Sequence, residues 1–355
     1  MAHSIAFTAL TAALILGIAA AQPTTNGTRF AGFSYAGNVI GYVNMTMDYC
    51  DIVAALMAGN FSAGLDVYAN GKNSFSGAAK RTFFRFASHV PTAVEPTYIA
   101  LTNGRNGSWL DMAIREAFAA GNAHLALGLI QTGTLKYMLH EVDEAANKIA
   151  AYVADPTLVS QLADATGAPH NIDEGWSLWV GGSPTTCGTL SSWADQLGDE
   201  LQASFVGRAS INNAMTLAFH ELQAASRTGD LAAYNATRAD VVRYTTILGL
   251  QGVMHALYKA DLAVACKRPA ADLAEQKSMI TVSWSLLEAF LTARKMPAAY
   301  ISALGKALTA PKPDYKKAQA AIKRVISGMG RRVSEIGTPD FKAINADWGC
   351  KAPRR

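Results

Sequence analysis

The segment Leu135-Lys-Tyr-Met-Leu-His-Glu-Val-Asp-Glu-Ala-Ala-Asn-Lys-Ile-Ala-Ala-Tyr-Val153 sets Leu135, Met138, Leu139, Val142, Ala146, Ile149 and Val153 at intervals of three and four. That spacing lines up one apolar face on a helix of 3.6 residues per turn. A second segment, His170-Asn-Ile-Asp-Glu-Gly-Trp-Ser-Leu-Trp-Val-Gly-Gly182, packs two acids and two tryptophans between glycines. The helical period extends outward in both directions. Tyr49, Ile52, Val53 and Leu56 share a face, and a second helix runs to Asn70-Gly71. Residues 109–120, 123–153, 191–206, 211–227, 241–266, 272–293, 297–308 and 315–329 continue it, with a break expected near Thr132-Gly133. Residues 88–108 hold Pro91, Pro96, Gly104 and Gly107 and read as an irregular connection. Alternating β-branched runs are nearly absent. The chain reads as all-α: a multi-helix bundle over residues 46–350, or two packed bundles near 46–190 and 191–350.

Half of the 355 residues are hydrophobic and 16% are charged, with a formal net charge of +4. This is ample for a large core. No basic patch interleaved with aromatics stands out, which argues against a nucleic-acid partner. Residues 1–21 read as a cleaved signal peptide: a short apolar stretch ends at Ala19-Ala20-Ala21, although no Lys or Arg precedes it. Residues 22–45 form an irregular lead-in, and 351–355 a basic tail suited to an anionic wall or membrane surface. No later stretch is apolar for long enough to span a membrane. Cys50, Cys187, Cys266 and Cys350 suit two long-range disulfides in a secreted chain, with three pairings open. Asn26, Asn44, Asn60, Asn106 and Asn235 are glycosylation acceptors by motif.

Hydrolase, zincin, P-loop and dinucleotide motifs are all absent. What remains is a set of candidate metal ligands. His140 and Glu144 lie four apart on one helix face, with Glu141 to the side. That face lies opposite the apolar stripe, so its plain alternative is a solvated surface with Glu144 paired to Lys148. His220-Glu221 repeats the arrangement, with the same alternative. Asp173 and Glu174 fit either a helix N-cap or a pair of hard-cation ligands. Glu288 is a lone acid on an apolar helix, and Tyr244, Gln251, His255 and Tyr258 mark a polar seam whose members could satisfy one another. A weak internal echo joins Asp51–Ala63 to Glu221–Ala233, which stop-and-restart turn residues would also produce.

Val67-Tyr-Ala-Asn-Gly-Lys-Asn-Ser74, His140-Glu-Val-Asp-Glu-Ala145 and Asp173-Glu-Gly-Trp-Ser-Leu-Trp-Val-Gly181 resemble segments of the iron-assimilation proteins of green algae. These are also described as low-iron-inducible or high-CO2-inducible periplasmic proteins. The resemblance implies a secreted protein of the periplasmic space or cell wall that aids iron uptake by binding iron, and the leading expectation is a binding protein that is not an enzyme. Its partners would be iron ions and uptake components of the wall or plasma membrane. From the residue chemistry, the expected ligands are Glu141, Glu144, Asp173 and Glu174, with His140 and Glu288 behind them. The competing expectations are a metal-free structural or adhesive wall glycoprotein and a secreted hydrolase of unfamiliar type.

Overall fold

The computed structural model describes residues 27–102, 104–105, 107–182, 187–205, 207–340, 344–345 and 348. The signal peptide, Asn26, Asn106, Cys350 and the basic tail lie outside the described residues. The first elements are a minimal hairpin (β1, Arg29–Phe30; β2, Phe33–Ser34), α1 (Ile40–Val43), α2 (Met45–Met57) and α3 (Phe61–Asn70). A second hairpin (β3, Phe75–Ser76; β4, Ala79–Lys80) leads to α4 (Phe83–Ser88), α5 (Pro96–Thr102), α6 (Trp109–Ala119) and the 32-residue α7 (Ala123–Ala154). Then come α8 (Ala168–Val180), α9 (Leu190–Glu200), a third hairpin (β5, Ser204–Phe205; β6, Arg208–Ala209), α10 (Ser210–Thr228) and α11 (Leu231–Ala265). Helices α12 (Ala270–Ala293), α13 (Ala298–Leu308), α14 (Tyr315–Gly328) and α15 (Val333–Ile336) complete the fold. The protein is all-α, with only two-residue strands beside the helices.

Turn chemistry sets many of the helix starts. Asn60, Asn122 and Asp230 each cap the following helix, accepting from Ala63, Leu125 and Ala233 backbone N–H groups at 3.0, 3.0 and 2.9 Å. Each follows a glycine, and Gly229 ends α10 in the left-handed region at φ 71°. The device occurs three times, and it supplies the Gly-Asn and Gly-Asp steps of the echo between Asp51–Ala63 and Glu221–Ala233.

Helix α7 packs against α4, α5, α6, α8, α11 and α12. It does not break at Thr132-Gly133. Thr132 and Thr134 donate back to the carbonyls of Gly128 and Ile130, at 3.1 and 3.0 Å, so the helix continues through them. Gly133 packs in ordinary contact with Leu110 and the backbone of Ala87. The apolar stripe read from the sequence is buried from Leu135 to Ile149, and Val153 alone is exposed. The buried apolar residues form one contiguous core from Phe33 to Ile344.

Three local expectations are corrected. Asp173 and Glu174 are not N-caps: α8 begins at Ala168, with Pro169 in its first turn, and buries both acids mid-helix. Residues 88–108 are not wholly irregular, because Pro96 opens α5. The lead-in holds a hairpin and α1. One disulfide joins Cys50 to Cys187, and Cys266 is also disulfide-bonded. Asn60 and Asn235 are exposed, whereas Asn44 is half-buried and donates to the Asn73 carbonyl at 3.4 Å. Among the described residues, no helix is long and apolar enough to cross a membrane.

Candidate metal centre

His140 sits on the face of α7 opposite the apolar stripe, but that face is not solvated. The connection from α4 to α5 covers it and brings His89 and Glu95 against it. His89 Nε2 lies 2.8 Å from Glu95 Oε1, the same oxygen that His140 Nδ1 contacts. The two imidazole centroids are 4.4 Å apart. The three possible ligand atoms all lie within 4.8 Å of one another, and no other such group of three occurs among the described residues.

Two anchors fix this arrangement. The second carboxylate oxygen of Glu95 accepts from the Thr92 N–H at 2.6 Å and its hydroxyl at 2.8 Å. The fully buried Asp143, one turn beyond His140 on α7, accepts from the Thr97 N–H and hydroxyl, both at 2.8 Å, and from the Tyr98 N–H at 3.2 Å. It thereby caps the first turn of α5 from outside, and Arg238 lies 3.2 Å away to balance its charge. Burial pushes the Glu95 carboxyl up, but hydrogen bonds from Thr92, His89 and His140 outweigh it and hold the acid at about 2. Burial also lowers the pKa of His89. The site therefore offers a carboxylate and two imidazoles. Tyr98 and Tyr137 wall it, with ring centroids 4.9 Å from His89 and 4.7 Å from His140 respectively.

A second polar group lies around the corner of α7, where α8 packs. Glu141, 2% exposed, accepts from the Tyr42 hydroxyl at 2.9 Å and the Asn171 amide at 2.7 Å. Its carboxylate comes within hydrogen-bonding reach of Glu174, whose other neighbour, His170 Nε2, is 3.3 Å away. Burial first, then the negative charge of Glu174, raises Glu141 to about 8. Burial raises Glu174 as well.

Of the expected ligands, only Glu141 and Glu174 meet. His140 joins the separate triad with His89 and Glu95. Asp173 is fully buried one residue from Glu174 but has other work: it accepts from the Gly37 N–H at 2.6 Å and from Gln223 at 2.8 Å, tying the lead-in and α10 to α8. Burial raises it to about 7. Glu144 is half-buried, and Lys148 donates to the Thr166 carbonyl instead of pairing with it. Glu288 faces Arg105 at 3.6 Å near the surface. His220 contacts the Gly32 carbonyl at 2.9 Å. The polar seam of α11 is structural: Gln251 donates to the Ile336 carbonyl, His255 meets Glu200, and Tyr258 donates to Asn345. Sequence reading missed His89 and Glu95. They sit in a proline-bearing connection with no period, and only tertiary packing places them on α7.

No curated protein and no solved structure matches the chain. A family model described as low iron-inducible periplasmic protein matches residues 4–355. With three motifs of that kind in the sequence and the match running almost end to end, the chain belongs to the low iron-inducible periplasmic proteins.

Proposed function

We propose that this periplasmic protein serves iron assimilation as a binding protein rather than an enzyme, holding ferrous iron at His89, Glu95 and His140. The observation that carries the reading is the convergence of those three side chains. Two imidazoles and one carboxylate form a donor set well suited to Fe(II). In this reading one carboxylate shares the ion with two imidazoles, and the bound ion would pass on to uptake components at the plasma membrane. The orientation of Glu95 by Thr92 is the kind of outer support that metal sites use.

Anaerobic equilibrium dialysis of the purified chain with ferrous iron tests this. One saturable site is expected, weakened by at least about tenfold in His140→Ala and in Glu95→Gln. Binding should weaken on acidification, because His89 must be neutral to act as a ligand; burial lowers the pKa of His89, so the loss should come below the ordinary imidazole range. Unchanged binding in the doubly substituted chain would sink the reading.

A further inference from the structure

The Glu141–Glu174 pair poses a problem that the triad does not answer. Two buried carboxylates face each other, and opposed carboxylates in a protein interior need a shared proton or a cation. The positive charges of Arg81 and Lys148 act on Glu174 from a distance and lower its pKa, but neither group touches the pair. Arg81 stands over the Tyr42 ring, 4.0 Å from its centroid, and Lys148 is engaged by the Thr166 carbonyl. Neither makes an ion pair with Glu141 or Glu174. A second observation points the same way. Asn171, 4% exposed, projects its carboxamide into this space: the nitrogen donates to Glu141, while the enclosed oxygen has no partner. Buried amide oxygens are rarely left unpaired. Turning the amide over would set its oxygen against the Glu141 carboxyl, an arrangement that needs a proton on Glu141 or an intervening cation.

We propose that Glu141, Glu174 and the Asn171 carbonyl oxygen form a second cation site, distinct from the triad and selective for a hard, oxygen-preferring ion. Two carboxylates and a carbonyl, with the Tyr42 hydroxyl bracing one of them, make an all-oxygen donor set. Two negative charges balance a divalent ion. His170 orients the Glu174 carboxylate from outside and, being half-buried, marks the side from which an ion enters. This site stands whether or not iron occupies the triad.

Terbium(III), a hard ion whose emission is sensitised by adjacent tyrosine, is the probe, and cobalt(II) absorption reports the imidazole triad in the same full-length mature chain. The expected result is a saturable terbium signal that calcium or manganese competes away. Glu174→Gln should weaken it by about tenfold or more, and His140→Ala should leave it intact. Cobalt binding retained in Glu174→Gln shows that the variant is folded and that the two sites are separate. Loss of cobalt with normal terbium behaviour would remove the triad reading and spare this one. A wild-type chain without saturable terbium emission, or a signal that survives both Glu174→Gln and Glu141→Gln, overturns the second site.

Discussion

Asp143 accepts three hydrogen bonds from the first turn of α5 and faces Arg238, all within the core. Its substitution by alanine leaves two helix N–H groups and a guanidinium without their acceptor. Losing one partner of a buried network costs about 3 kcal/mol. Chemical denaturation of Asp143→Ala should show a loss of that order. Metal affinity at His89, Glu95 and His140 should fall with it, because Glu95 immediately precedes α5. An unchanged denaturation midpoint would mean that other contacts hold α5. His140 and Glu141 stood out on the helix of the apolar stripe and Glu174 beside two tryptophans, and all three lie in polar clusters. Asp143 did not, because an acid beside two others on one helix carries no mark of which face the fold will cover.

Helix α9 is joined to α11 by Glu200, which lies 2.5 Å from His255 Nε2 and 2.9 Å from Lys259 Nζ. Burial pushes the Glu200 carboxyl up, but His255 and Lys259 outweigh it and hold the group at about 2, below its ordinary 4.5. A carboxylate depressed on folding adds stability above its unfolded pKa and loses it as pH falls through the folded value. The contribution of Glu200 is therefore full above pH 4.5 and fades toward pH 2. Unfolding midpoints measured from pH 6 to pH 2.5 should fall less steeply in Glu200→Gln than in the parent chain, and parallel curves would refute the assignment. The helices themselves were legible because apolar period and cap chemistry are local properties. Where reading of the acids failed, a tertiary partner had changed the local rule. Asp173 and Glu174 look like caps until Glu141, Gly37 and Gln223 surround them inside α8. Thr132-Gly133 looks like a break until Thr132 and Thr134 are seen to bond back into the helix and carry it through.

Across the whole molecule, the Cys50–Cys187 bond closes a separation of 137 residues and holds α2 to the segment entering α9. Cross-links over loops this long restrict the unfolded chain and contribute on the order of 2–5 kcal/mol. Replacing both cysteines by alanine should lower stability by that amount while leaving the helical circular-dichroism signal intact; equal stability would show that the native contacts alone hold the two ends. Four cysteines allowed three pairings, and the sequence could not choose among them, since pairing depends on distance after folding. The sequence by itself determined the all-α class, the positions of the long helices and the family likeness, because each is written in neighbouring residues. Tertiary structure alone decided which acids meet, which histidine faces which loop, and that His89 and Glu95 belong with His140. Those relations depend on how separate helices pack, and no residue's immediate neighbours encode them.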